Sequence, residues 1–592
     1  MHLALVDWLI IIAYFLISLG IGLYYRKMAG KSMTDFFLSG RNLTWFIAGI
    51  SMVATTFAAD TPLAVTELVA RNGISGNWLW WNALFGGMLT TFFFSKLWRR
   101  AEVLTEVELI ELRYSGKEAA WLRGFKSVYL GFFMNSLIIG WVNVALISIL
   151  QVFFGISAEQ SLYYAAAAML ITAVYSSISG LWGVAITDAF QFIIAMTGTI
   201  ILAVIVVNSD KIGGIDGLKA KLPASSFDFF PHIGKSGGIN MLVISASTFF
   251  AYIGILWWAS WYPGAEPGGG GYVAQRIMSA KNEKHAVYAT LFFQVAHYCL
   301  RPWPWIIVGL CTLVLYPDLG FDEKRLGYVM AMKDFLPVGL RGLLLVAFLA
   351  AYMSTISTQL NWGASYLVND FYNRFINKNA SQKLLIKASR ICTMLLMVIS
   401  LFITSRITSI SDVWVFIIEC GAGLGLVLIL RWYWWRINAW SEIAATITPF
   451  IAYYVSKKIL LWVFPNSFFF TVGATTITWI LVTFLTKPTS HEKLFAFYLK
   501  VKPEGQWGPI KKALGIKPSK SSVLFLLMSW LSAVCMTYSI LFCSGKFIFK
   551  EWNDACFWGI IALGAFFLLK FSMNKSAAID QQNTDVEPQI KH

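Results

Sequence analysis

Charge is scarce in this chain. Only 13% of its 592 residues are Asp, Glu, Lys or Arg, while 57% are hydrophobic. A soluble domain of this length cannot hide that much apolar surface in one core. Histidine is scarcer still, at six residues, and the seven cysteines form no CxxC pair. The usual zinc and redox-dithiol spacings are therefore missing. Glycine is plentiful, yet it makes no phosphate-binding loop, and there is no HExxH, so the chain offers no support for an ATP-driven pump. A membrane-embedded enzyme would need paired acids or a His-rich centre, and neither is visible. Cys543 and Cys556 flank one loop expected to face outward, where they could pair.

What the chain does have is apolar length. Runs near 4–25, 43–71, 76–98, 124–155, 160–179, 184–208, 239–264, 284–316, 341–369, 385–408, 411–434, 440–463, 466–486, 522–545 and 552–572 each suffice to span a bilayer, about 15 in all. The first run lacks a basic leader and a cleavage site, so it reads as a retained helix. Net charge is +16, but Lys and Arg fall in alternate loops: 26–44, 97–126, 274–284, 371–390, 431–436 and 487–520. That alternation is membrane topology, not a nucleic-acid surface. It sets the N-terminus outside and the C-terminus in the cytoplasm of a multi-pass plasma (inner) membrane protein. Residues 487–521 form a polar inward loop with an amphipathic piece. The tail 573–592 is polar and expected to be disordered.

Two helices carry breaks. Ala58-Ala59-Asp60-Thr61-Pro62 puts a charge and a proline in the second, and residues 263–271, rich in Pro and Gly, cannot continue the seventh as a regular helix. The breaks lie five helices apart, which makes 43–208 and 239–434 corresponding halves. Helix 1–42 with its inward loop precedes them. An outward loop, 209–238, joins them, and helices in 435–486 and 522–572 follow. Interrupted segments at matching places in two halves point to a transporter binding site. The second break also reads as a cytoplasmic loop end, since Gln275-Arg276 follows closely.

The run Ala351–Thr358 sets four hydroxyls in an otherwise apolar helix. Ser354, Ser357 and Thr358 share one face at i, i+3 and i+4, with Thr355 about 100° round. Such hydroxyls can bond back to their own helix or glue two helices together. Clustered, they also suit a desolvated hard cation that takes oxygen ligands.

Five segments together resemble the sodium/solute symporter family, the group of the sodium–glucose and sodium–proline cotransporters. They are Asp35 through Arg41; Tyr175 with Gly180-Leu181-Trp182, Thr187-Asp188 and Gln191; Gln275-Arg276 with Ser279-Ala280-Lys281; Ala351–Thr358; and Trp434 through Ala439. The resemblance covers roughly residues 5–486. It implies an all-α integral membrane protein with a LeuT-like 5+5 inverted repeat, one helix before it and several after. It implies sodium-driven symport by alternating access. One sodium would take the carbonyls of Ala54, Phe57 and Ala351 and the hydroxyls of Ser354 and Thr355. A second would take Asp188 with Ser354, Ser357 and Thr358, although Asp188 also reads as a helix N-terminal acid. In the family's sugar carriers, substrate residues align with Asp60 and Thr61 and near Asn82, but their residue types are not reproduced.

The intramembrane ionisable residues Asp60, Glu266, His297, Arg301 and Glu419 are the remaining pointers to the solute. His297 and Arg301 share a face and could hold a carboxylate or sugar hydroxyls; equally, Arg301 could pair with Glu419 or Asp60. Trp80, Trp81, Trp141, Trp257, Trp258 and Trp261 offer flat faces for a sugar ring. The candidate substrate set is Asp60, Thr61, Asn82, Glu266, His297 and Arg301. The expectation is sodium-coupled import of a small polar organic solute, a sugar or sugar acid. Open beside it stand sodium- or proton-coupled uptake of an amino acid or monocarboxylate, and a transporter-like receptor or channel. The partners expected are the solute, sodium and the lipid bilayer, with no nucleic acid and no obligate protein partner.

Overall fold

The computed structural model describes residues 3–234, 243–407, 410–516 and 520–586. The end of the 209–238 loop, the start of the run 239–264, part of the 487–521 loop and residues 587–592 of the tail therefore fall outside the described residues.

Among the described residues, nine helices are long and apolar enough to cross a membrane. One of them, Ala158–Val207, turns at Gly180 (φ 56°, ψ −159°) and so supplies two crossings. Only glycine reaches that backbone region without strain, which explains the glycine at position 180. The remaining crossings are shorter or interrupted. They are Trp45–Thr55 with Thr61–Asn72, the run from Trp78 to Ala101, Ala246–Ala259 with Gly271–Ser279, Ile410–Cys420 with Gly425–Tyr433, and Ala439–Tyr454. The total agrees with the crossings that the apolar runs predict.

The break after Ala259 is a true interruption and not a loop end, because the helix Gly271–Ser279 follows it and is buried throughout. A third break was not legible in the sequence, which reads 411–434 as continuous. The chain leaves the helix at Gly421–Leu424, with Gly423 at φ 89°. These last two breaks serve each other. Gly423 N donates to Ala259 O at 2.9 Å, Trp261 N donates to Gly421 O at 3.2 Å, and Ser260 and Ala422 form an antiparallel bridge. Backbone groups freed at membrane depth are thus satisfied by protein.

Helix Leu340–Ser365 is the centre of the bundle; every residue from Leu344 to Ser365 is buried. The first helix, Leu5–Ala29, is tied to its start, since Asp7 Oδ1 accepts from Gly339 N (2.8 Å) and Gly342 N (2.7 Å). Helix His491–Val501 is the amphipathic piece of the polar loop and buries Leu494, Phe497 and Val501. The tail differs from expectation. Helix Trp552–Val586 carries on through residues 573–586, and Asp580 there pairs with Lys96 at 2.6 Å. Cys543 and Cys556 are free thiols.

Candidate functional site

The break in the second crossing leaves residues 56–60 outside any helix. Opposite lies Thr355 on the central helix. Its Oγ1 donates to Thr55 O (2.9 Å) and lies 3.2 Å from Ala351 O. One turn on, Thr358 Oγ1 is 3.0 Å from Thr55 Oγ1. These oxygens converge where the first helix segment ends and its carbonyls lose their ladder partners. Ala54 O still accepts from Phe57 N at 3.0 Å, and the Phe57 ring packs on Trp305. The set is all oxygen, which suits a hard monovalent cation.

Ser354 turns the other way. Its Oγ donates to Asp188 Oδ1 at 2.6 Å, while Ser51 Oγ donates to Asp188 Oδ2 at 2.5 Å. The Arg276 guanidinium reaches the same spot: Nη2 lies 3.6 Å from Asp188 Oδ2 and donates to Thr358 Oγ1 at 2.6 Å, and Nε donates to Ser51 Oγ at 3.2 Å. Ser357 Oγ bonds back to Ser354 O (3.0 Å), as helix hydroxyls do. The four residues of the second expected set thus lie together, but Asp188 already has a cationic partner. Sequence reasoning quoted Arg276 only as part of a motif and missed Ser51 and Thr55. Thr55 could have been found, being the last residue before the break.

Beside the Thr355 oxygens lies a cavity of about 260 Å³. Asp60, Thr61, Asn82, His297 and Arg301 line it, with Thr55, Thr56 and Thr355. Trp80, Trp141 and Trp257 supply aromatic walls; Trp81, Trp258 and Trp261 do not. Glu266, expected among the substrate residues, does not line it either: the cavity wall ends at Ala265, and the Glu266 side chain is buried in the protein beside Glu106. Asn82 spends its amide on Trp78 O and Leu79 O. One oxygen of buried Asp60 has no hydrogen-bond partner.

Arg301 is held, but not by an acid. Nη1 donates to Val53 O (3.2 Å) and Thr56 Oγ1 (3.0 Å), and the guanidinium stacks near Trp305. Nη2 approaches His297 Nε2 at 3.2 Å, and His297 Nδ1 is 3.0 Å from Thr56 Oγ1. Arginine can only donate, so Nε2 accepts and Nδ1 carries the ring hydrogen toward Thr56. The Nε of Arg301 has no partner. The expected pairing with Glu419 is absent, because Glu419 Oε1 is 2.9 Å from Lys457 Nζ. Among the described residues no carboxylate bridges Arg301.

The model of the sodium:solute symporter family matches residues 36–448. Relatives include sodium/glucose cotransporter 4 of Danio rerio, 25% identical over 426 residues, covering 67% of this chain and 62% of that protein. Sodium/glucose cotransporter 1 of Sus scrofa is 26% identical over 431 residues, with the same coverages of 67% and 62%. Sodium/myo-inositol cotransporter 2 of Oryctolagus cuniculus is 23% identical, covering 75% and 69%. The chain thus spans 62% of the length of the first two. Among solved structures, a sodium-coupled sialic acid symporter in a substrate-bound, outward-open state superposes with a TM-score of 0.65 at 17% identity, covering 82% of this chain and 99% of that one. At that identity the likeness speaks for the fold.

Proposed function

This chain belongs to the sodium:solute symporter family, and from that premise we propose that it imports a small polar organic solute, a sugar or sugar acid, driven by sodium. The observation that carries the reading is the position of Thr355. It stands on the wall of the solute-sized cavity, and its hydroxyl joins the oxygens at the helix break. A cation there and a solute in the cavity would share one wall, so each would favour the conformation that the other needs.

The sodium travels with the solute as cargo. Ala54, Phe57 and Ala351 would offer carbonyls and Thr355 its hydroxyl. Ser354 would join once its hydroxyl leaves Asp188. A second sodium at Asp188, Ser354, Ser357 and Thr358 would have to displace the Arg276 guanidinium, so this arrangement favours one sodium per cycle. For the solute, Arg301 and Asp60 on the cavity wall would offer a donor to a carboxylate and an acceptor for a hydroxyl once the buried, unpartnered Nε and Oδ1 turn toward it. A sugar acid presents both. The sugar and inositol named for the relatives above, and the sialic acid of the solved neighbour, lie in the same chemical range. The N-terminus faces outward and the C-terminus the cytoplasm, as the basic loops require.

The test is uptake into proteoliposomes under an imposed sodium gradient, across sugars, sugar acids, amino acids and monocarboxylates. Sodium-dependent accumulation of a sugar or sugar acid is expected. Flux that never exceeds equilibrium would make the protein a channel, and binding without flux a receptor.

A further inference from the structure

Behind the solute cavity, two acids meet in the interruption of the seventh crossing. Residues Ser260 and Tyr262 to Ala265 line the cavity, and Glu266 is the next residue. Its side chain turns away from the cavity into the protein, where it is 4% exposed and neither carboxylate oxygen has a hydrogen-bond partner. Glu106, 5% exposed, stands beside it. Both flank Gly270: a Cβ built there would lie 2.9 Å from Glu266 Cβ and 3.0 Å from Glu106 Oε2. Gly271 keeps the same space open, since its Cβ would come within 2.5 Å of Glu266 Oε1.

The surrounding cations are all engaged by other groups. Glu106 Oε2 accepts from Gly271 N (2.7 Å) and Tyr366 OH (3.1 Å), and its Oε1 lies 3.6 Å from Arg431 Nη2. Arg431 is shared with Glu442, which also takes Lys126 and Tyr114. Arg113, the other buried cation nearby, donates to the carbonyls of Arg431, Trp434 and Trp435. Tyr272 and Tyr366 face Glu266 but bring no positive charge. Three carboxylates thus face three side-chain cations, but Arg431 and Lys126 pair with Glu106 and Glu442 and Arg113 is held by carbonyls, so among the described residues Glu266 is the carboxylate that no cation pairs. An ionised carboxylate so placed costs several kcal/mol unless a cation joins it.

We propose that Glu266 and Glu106 form a site for one monovalent cation, a proton or an alkali ion, inside the interruption of the seventh crossing. The pair lacks the third His, Cys, Asp or Glu of a transition-metal centre; no such trio occurs among the described residues. The glycines leave room for the two acids to close on a small cation. Because Ser260 and residues 262–265 wall the solute cavity, loss of the cation would bare a buried charge and drive the same segment to rearrange. The site would then link cation occupancy to the solute cavity.

Two readouts on the purified full-length protein test the site, and neither depends on uptake. Infrared spectroscopy at neutral pH detects the C=O stretch of a protonated carboxyl; a band present in wild type and lost in Glu266→Gln identifies the ion as a proton. Thermal melting in sodium, lithium or potassium chloride against choline chloride, in a Thr355→Ala background, reports an alkali ion; stabilisation lost in the Thr355→Ala/Glu266→Gln double variant identifies it. If Glu266→Gln does not fold, Glu106→Gln takes its place in both assays. It should shift the carboxyl band, or weaken the alkali stabilisation. A protein with neither a Glu266-dependent band nor Glu266-dependent alkali stabilisation, and with Glu106→Gln equally silent, overturns the proposal.

Discussion

Arg276 and Asp188 face each other at 3.6 Å in the middle of the bundle, both fully buried, with Ser51 bonded to each. The pair joins the helix that follows the seventh-crossing break to the one that begins at Gly180. Removing one partner strands the other charge, at a cost on the order of 3–5 kcal/mol. Asp188→Asn should therefore lower the melting temperature in detergent, and sodium should drive uptake with a Hill coefficient of 1 before and after. A wild-type coefficient above 1 that falls toward 1 in Asp188→Asn would instead establish a second sodium there.

Thr355→Ala removes the hydroxyl that meets Thr55 O and Ala351 O. A cation left short of one protein ligand is held less tightly. The sodium concentration for half-maximal uptake should rise by about tenfold or more, equivalent to ~1.4 kcal/mol, with folded yield kept. Thr355→Ser, which keeps the oxygen, should stay near wild type. Equal sodium dependence in all three proteins would remove Thr355 from the site.

Arg301 lines the cavity and has no acidic partner among the described residues. Arg301→Ala should weaken solute binding by about a hundredfold, ~2.7 kcal/mol, and sodium binding far less. Arg301→Lys keeps the charge but loses the fork, so it should restore affinity only in part. Removing Glu419 should rescue neither, since Glu419 belongs to Lys457. Isothermal titration with the best solute from the uptake screen reads all three.

The crossings, the first two breaks and the central hydroxyl face were legible because each is a local pattern: an apolar run, a Pro beside an acid, or polar side chains on one face. What was hidden depends on distant partners. Arg276 lies 88 positions from Asp188 in the chain, so no window places them together. The break at Gly421–Leu424 was invisible because Ala and Leu around two glycines read as helix; its backbone is satisfied instead by Ala259 and Trp261. The choice between Lys457 and Arg301 as the partner of Glu419 is likewise tertiary. Glu266 was found as an intramembrane acid, but which side of its segment faced the cavity could not be read from spacing in an irregular stretch.

Glu111 in the short helix Glu108–Arg113 locks two crossings together. It takes Arg123 at 2.7 Å and Arg374 at 2.8 Å. Burial alone would raise the Glu111 carboxyl, but Arg374 and Arg123 outweigh it and hold the group below the ordinary carboxylate range. A group lowered in the folded state adds stability above its unfolded value, about 4.3, and loses it as pH falls through the folded value. The protein should therefore lose melting temperature as pH drops below about 4.5. Glu111→Gln should be less stable at neutral pH and show a shallower acid decline, the difference being modest because the group is partly solvated. Parallel acid curves for the two proteins would mean that the pairing adds no pH-dependent stability.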